Sequence, residues 1–158
     1  MIDTETTGRG PGREVIEVAV IEPSGEIAFC STIRPHRPPE PDAVRVHGLD
    51  GAALAAAPTF TTVFPALLEH LERHNLLAYN APFDRVSLQL TAQHNGIELP
   101  PLAWDCLLQR YAELRGFRTS LRAACELEGI SIPPGPHRAT VDAHLAWKLL
   151  RALATPTD

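Results

Sequence analysis

The sequence has few lysines and no excess of positive charge. Only Lys148 is a lysine among the 14 basic residues, and the formal net charge is −5 with a sequence pI near 5.8. Proteins that bind nucleic acid by neutralising many phosphates along a groove are usually basic. The composition therefore argues against a broad groove-binding protein, but it is compatible with an enzyme whose small pocket is filled by metal ions.

Cysteine is also scarce, and long apolar runs are absent. Cys30, Cys106 and Cys125 are widely spaced and form no C-x-x-C motif, so we expect reduced thiols and a cytoplasmic location. No stretch approaches the length of a membrane span, and no signal-peptide pattern precedes Asp3, so we expect no membrane association. At 158 residues the chain is expected to form a single domain, residues 1–158.

The order of apolar and turn-forming segments predicts an α/β protein. Glu14–Glu22 is apolar and β-branched, which favours a buried strand, and a Pro-Ser-Gly turn leads into a returning strand, Ile27–Arg34. An antiparallel hairpin followed by alternating strands and helices predicts a mixed sheet flanked by helices. The later predicted elements are helical pieces in Ala43–Ala57, a helix capped by Thr59, strands at Leu76–Tyr79 and Ala103–Asp105, and helices over Pro82–Asn95, up to Gly116, up to Gly129, and over Arg138–Ala154.

Two carboxylates stand near the start of the chain, in the segment D-T-E-T-T-G. If this segment is a strand, alternation places Asp3 and Glu5 side by side on one face. Adjacent like charges are unfavourable unless cations neutralise them, and Mg²⁺ prefers carboxylate oxygen while leaving room for a phosphate. A surface acidic pair would show the same pattern, so the pair gains meaning only from the rest of the chain.

Two further segments place acidic or basic groups at the ends of predicted elements. Asp84, in N-A-P-F-D, follows a short predicted strand, and H-R-A-T-V-D puts His137 and Asp142 at the start of the last helix. Each residue has a simpler interpretation. Asp84 could be a helix N-cap, Asp142 an exposed helix residue and His137 an ordinary loop histidine.

Together these segments resemble the three exonuclease motifs of the DnaQ-like DEDDh family of 3′→5′ exonucleases, in the same order and spacing. Secondary segments are also similar: V-H-G-L at 46–49, D-C-L at 105–107, and S-L with Cys125 after Thr119. The likeness extends from residue 1 to about residue 154. It implies a ribonuclease H-like three-layer fold with a mixed five-stranded sheet flanked by helices.

The resemblance also implies a site that holds two Mg²⁺ or Mn²⁺ ions. Its metal ligands would be Asp3, Glu5, Asp84 and Asp142, with His137 as general base. A histidine titrates near neutral pH, so it can accept the proton of an attacking water where a carboxylate would be too weak a base. The substrate-binding residues would be Thr6, Thr7, His47 and Asn80. Asn80 could instead hold the backbone at the end of its strand, and His47 could be structural.

The implied activity is release of nucleoside 5′-monophosphates from a single-stranded or frayed 3′ end of DNA, in proofreading or repair, with a polymerase as a candidate partner. RNA 3′-end trimming is the alternative activity. A non-catalytic binding module on the same fold is the alternative class, but such a protein should have lost a ligand or the histidine, and here none is missing.

Two details bear on this interpretation. Only Met1 and Ile2 precede the D-x-E, so either the first strand is short or the natural start lies upstream. Arg9 stands where many relatives have an apolar residue that meets the terminal base.

His70 and His74 have the i, i+4 spacing of a zinc helix, but a metalloprotease needs a glutamate directly after the first histidine. We therefore expect these histidines on a solvated helix face.

Overall fold

The computed structural model describes residues 1–73 and 75–154. The elements follow the predicted α/β order, with two short helices in the segment expected to hold helical pieces. In chain order they are β1 (Ile2–Thr6), β2 (Val15–Ile21), β3 (Ile27–Thr32), α1 (Pro41–His47), α2 (Gly51–Leu54), α3 (Phe60–Leu71), β4 (Leu76–Ala78), α4 (Ala81–His94), β5 (Trp104–Cys106), α5 (Leu107–Arg115), α6 (Leu121–Leu127) and α7 (Ala139–Ala154).

The strands form two hydrogen-bonded sheets in the described part of the chain. Antiparallel ladders join β1, β2 and β3 in that order, and a parallel ladder joins β4 to β5. The single five-stranded mixed sheet that the resemblance implied is therefore not seen. β4 lies next to β1, but it has only three residues, which leaves little length for a ladder between the two sheets.

Helices cover both faces of the three-stranded sheet, as predicted. Every residue of β2 is buried, and its alternating side chains belong to different clusters. Val18 and Val20 pack with apolar residues of α3 and α4, whereas Ala19 and Ile21 pack against α7. A further cluster joins α5, α6 and α7.

Small side chains bring α7 close to the sheet. Ala139 and Ala143 of the helix are fully buried against Ala19 of β2, and α7 packs on both β1 and β2. Alanine at these three positions lets the helix approach the strands more closely than larger residues would. Asp142 lies between Ala139 and Ala143 along the helix, so the same packing brings its carboxyl group next to β1.

Helix α3 begins where the sequence predicts, but one of its histidines is not in solvent. Thr59 caps α3, its side chain accepting from the Thr62 amide, as predicted. His70 on α3 is half-buried and its ring lies against Phe29, with 5.6 Å between ring centroids, so the expectation of a solvated face is wrong for His70. His74 lies outside the described residues.

Within the described ranges, none of the helices combines the length and the apolar character needed to cross a membrane.

Candidate active site

Asp3 and Glu5 occupy alternate positions of β1, and both carboxyl groups have raised pKa values. Burial raises the pKa of Glu5 to about 8, and the carboxylates of Asp142, Glu17 and Asp84 add to the shift. Burial also holds the pKa of Asp3 well above its usual range, with further contributions from Asp84, Glu5 and Asp142. In each case the protein withdraws the charge from water and places further negative charge beside it.

Asp84 lies in the first turn of α4 and is buried. Its Oδ1 accepts a hydrogen bond of 2.8 Å from the Thr4 hydroxyl on β1, which ties the helix to the strand. Burial raises the pKa of Asp84 to about 7, although the bonds from Thr4 oppose that shift. The N-cap position of α4 belongs to Asn80, so the interpretation of Asp84 as a helix cap is wrong.

His137 and Asp142 meet at the start of α7. His137 Nδ1 lies 2.5 Å from Asp142 Oδ2, and Asp142 is only 5% exposed, so its interpretation as an exposed helix residue is wrong. One ligand atom from each of Glu5, His137 and Asp142 lies within 4.8 Å of the other two. The structure thus brings residues from the first and last predicted motifs into one cluster.

Two charged residues beside this cluster are missed by motif reasoning. Arg122 of α6 places Nη2 3.6 Å from Asp142 Oδ1, and its Nε and Nη2 are buried without a hydrogen-bond partner in the described residues. Glu17 of β2 lies opposite Glu5 in the antiparallel ladder. Arg122 is one of several charged residues in a predicted helix, so the sequence does not single it out, whereas Glu17 is an acid in the apolar interior of a predicted strand.

Thr6 and Thr7 shape the turn that follows β1. The Thr6 hydroxyl donates to the carbonyl of Gly8, at 2.7 Å. Thr7 exchanges two bonds with Glu14: its amide donates to the Glu14 carbonyl, and its hydroxyl accepts from the Glu14 amide. The Thr7 carbonyl accepts from the Glu40 amide at 2.7 Å, so both side chains and both backbone groups of Thr7 are engaged within the protein.

His47 and Asn80 lie in different environments. His47 is 2% exposed at the end of α1, and burial lowers its pKa. Its Nδ1 accepts from the Leu49 amide at 3.0 Å, so the ring proton is on Nε2, which is buried and has no hydrogen-bond partner among the described residues. The Asn80 side chain is exposed and makes no capping bond to α4.

The chemistry of the cluster fits divalent cations. In the described part of the chain, no ion pair joins Asp3, Glu5 or Asp84 to an arginine or a lysine, and Asp142 Oδ1 is buried without a hydrogen bond. Carboxylate oxygens are the preferred ligands of Mg²⁺ and suit Mn²⁺. A divalent cation would stabilise the charged carboxylates, which burial and, at Asp3 and Glu5, neighbouring carboxylates disfavour.

Comparison with known sequences agrees with this chemistry. The family model for RNase T-type exonucleases matches residues 1–150. An uncharacterised exonuclease of Escherichia phage 186 is 28% identical over 97% of this chain and 86% of its own length. The DNA polymerase III subunit epsilon of Rickettsia felis is 33% identical over 80% of this chain, and the match covers 60% of that subunit.

A solved structure of exonuclease X in complex with 5′ overhanging duplex DNA is similar too. It superposes with a TM-score of 0.72 at 29% identity, covering 94% of this chain and 86% of that one. The chain belongs to the RNase T family of exonucleases. Its similarity to polymerase III subunit epsilon and to exonuclease X supports the resemblance to DnaQ-like DEDDh exonucleases. It is therefore a nuclease, although it spans only about 60% of the polymerase subunits it matches.

Proposed function

We propose that this protein is a metal-dependent 3′→5′ exonuclease that acts on the 3′ end of DNA and releases nucleoside 5′-monophosphates. The observation that carries the proposal is the cluster of Glu5, His137 and Asp142. The buried carboxyl groups of Asp3 and Asp84 lie near it, and their pKa values are raised. Similarity to polymerase III epsilon and to exonuclease X, whose structure contains DNA, supports DNA as substrate. A proofreading or repair role and a polymerase partner are part of the same proposal.

Four acidic side chains would hold two Mg²⁺ or Mn²⁺ ions. When bound, such ions neutralise the scissile phosphate and favour ionisation of the attacking water. The ligands would be Asp3, Glu5, Asp84 and Asp142, which come from β1, α4 and α7. The raised pKa values of Glu5 and Asp84 mean that cation binding displaces protons from these groups near neutral pH.

His137 would act as the general base. Asp142 Oδ2 accepts from Nδ1, so Nε2 of the imidazole is the atom that takes the proton of the attacking water. The His137 side chain is 40% exposed, so water and the terminal phosphate can reach it. Asp142 thus orients the ring and stabilises the imidazolium that forms after proton transfer.

The terminal nucleotide would bind beside the turn after β1. Backbone groups of Thr6 and Thr7 would contact the 3′-hydroxyl, with Nε2 of His47 as a further donor in the wall of the pocket. Because the side chains of Thr6 and Thr7 are held by Gly8 and Glu14, the backbone there is fixed before substrate arrives. Asn80, between β4 and α4, would be a further contact of the substrate.

The test uses oligonucleotides of matched sequence, as DNA and as RNA, labelled at the 5′ end. With Mg²⁺ or Mn²⁺ the purified protein should shorten DNA stepwise from the 3′ end, and excess EDTA should stop the reaction. The Asp142→Asn variant, purified in parallel, controls for contaminating nucleases. Faster hydrolysis of the RNA would assign the RNA-trimming alternative, and hydrolysis in EDTA would contradict the metal site. Absence of turnover on both substrates would favour the non-catalytic module.

A further inference from the structure

Glu17 is a buried acid in an otherwise apolar strand. It is 5% exposed, whereas the rest of β2 consists of valine, isoleucine and alanine. The ladder register sets Glu17 directly opposite Glu5, and directly opposed residues of an antiparallel pair lie on the same face. Glu17 therefore lies beside the candidate site, but it is not one of the acids that the DEDDh motifs assign.

Unlike Glu5, its neighbour across the ladder, Glu17 forms an ion pair with an arginine. Nε of Arg138 lies 3.0 and 3.1 Å from its two carboxylate oxygens, and Nη2 also donates to Oε1. The backbone amide of Ala139, the first residue of α7, donates to Oε2 at 2.8 Å. A carboxylate at this place accepts a hydrogen bond from an amide that has no partner within the helix, and it interacts favourably with the positive end of the helix dipole.

The two residues that Glu17 holds lie between the proposed base and its partner. The His137 amide donates to the Val46 carbonyl at 2.9 Å, and the Asp142 amide donates to the Arg138 carbonyl at 2.9 Å. His137 and Asp142 then contact each other through their side chains. The first turn of α7 is thus anchored to β2 on one side and to α1 on the other.

We infer that Glu17 is a positioning residue for the exonuclease reaction, a role that rests on the proposed function. By holding Arg138 and the Ala139 amide, it fixes where α7 begins and so where His137 and Asp142 lie relative to Glu5. Fold stability alone does not account for the pair, because replacing a buried ion pair by apolar residues is often neutral or stabilising. The planar fork of an arginine, bound by both carboxylate oxygens, instead fixes an orientation.

The chain offers a matched control for Glu17→Gln. Glu128 also binds an arginine through both oxygens, with Arg115 Nε at 2.7 Å and Nη2 at 2.8 Å, but this pair joins the C-terminal ends of α5 and α6. Loss of a side chain that orients a catalytic group or metal ligand typically costs about 10–100-fold in activity. Glu17→Gln should lower kcat by that factor with little change in KM, and Glu128→Gln should leave both constants unchanged.

A second readout does not depend on activity. The ring protons of His137, assigned by their loss in His137→Ala, should shift in the NMR spectrum of Glu17→Gln and not in that of Glu128→Gln. If Glu17→Gln does not fold, Arg138→Lys serves instead, because it keeps the charge while removing the fork, and it should show the same loss of kcat. Wild-type kcat together with unchanged His137 signals in either folded variant would overturn the inference. Inactivity of the wild type on every oligonucleotide would instead refute the proposed function, and the NMR comparison would still decide the role of Glu17.

Discussion

Two groups of acidic residues in this protein differ in what balances their charge. Glu128, at the end of α6, binds Arg115, and Glu17 on β2 binds Arg138. On β1 and α4 the acids lie near one another instead, and the pKa values of Asp3, Glu5 and Asp84 are raised. Among the described residues, Arg138 forms an ion pair with Glu17 but not with Glu5, the direct neighbour of Glu17 across the ladder.

The difference distinguishes acids that form ion pairs within the fold from acids that are placed to bind a cation. A fold gains nothing from packing unpaired carboxylates together, because burial and mutual repulsion both disfavour the charged forms. Selection for stability alone would pair or remove them. A divalent cation site, in contrast, requires such carboxylates, and groups with perturbed pKa values concentrate at functional sites.

The largest expected effect comes from removing one acid of the candidate site. Asp3→Asn, Glu5→Gln or Asp142→Asn should each reduce exonuclease turnover to the background of the assay, because each would delete a proposed metal ligand. Asp84→Asn should show a smaller loss if that residue holds its ion through a water. Single-turnover assays with Mn²⁺, alongside circular dichroism to confirm folding, would check this. Turnover like that of the wild type in these variants would mean that the candidate site is not the active site.

The next effect in size concerns the proposed base. His137→Ala should slow the chemical step by about 10²–10⁴-fold, the usual contribution of a positioned general base. The acidic limb of the rate–pH profile should flatten, since that limb reports loss of a proton from the imidazole. Single-turnover rates measured against pH at saturating Mn²⁺ would test both points. A near-normal rate with the acidic limb intact would exclude His137 as the base.

The sequence predicts the acids of the candidate site better than it predicts what surrounds them. Asp3, Asp84 and Asp142 each stand in a short contiguous motif, so they can be recognised from the sequence. The partners of Glu17 could not be predicted from the local pattern, because Arg138 lies 121 positions away and meets it only after α7 packs on β2. The signal that was available is the glutamate itself, since a charged residue inside a buried strand needs a partner.

The local sequence pattern also could not predict that the strands form two separate sheets. Apolar runs indicate that a strand exists, but β4 and β5 each contain only three residues, and ladder length depends on tertiary packing. The prediction of α7 was nearly complete, because the turn before it and the apolar spacing along it are local properties. The contact of His70 with Phe29 on β3, in contrast, depends on how α3 docks on the sheet.

A third prediction uses pH to probe the charge balance of the cation-free protein. The pKa of Glu5 rises from 4.5 to about 8 on folding, and that of Asp84 rises from 3.8 to about 7. Between those values the folded state binds more protons than the unfolded state, so the free energy of unfolding should fall as pH rises from about 5 to 8. Melting temperatures measured in EDTA across this range would show the decline.

Two additions make this measurement specific to the cluster. Asp3→Asn should raise the melting temperature in EDTA at pH 8, because it removes one of the repelling charges. Mn²⁺ should stabilise the wild type more at pH 8 than at pH 5, since protons compete with the cation for the same oxygens. A melting temperature that rises with pH in EDTA would contradict the raised pKa values.

The smallest expected effect is at an exposed, paired charge. Arg110 Nη2 lies 2.6 Å from Asp105 Oδ2, and both side chains are about half exposed. Exposed pairs of this kind contribute about 0.2–1 kcal/mol, and salt screens them further. Arg110→Gln should therefore lower the free energy of unfolding by no more than that amount at low salt, with almost no effect at high salt and none on turnover. Urea denaturation at two salt concentrations would measure it. The result can be compared with the change that Asp3→Asn makes in the free energy of unfolding. A larger change for Arg110→Gln would contradict the contrast between paired and unpaired acids, because an exposed pair is already balanced by its partner and by water.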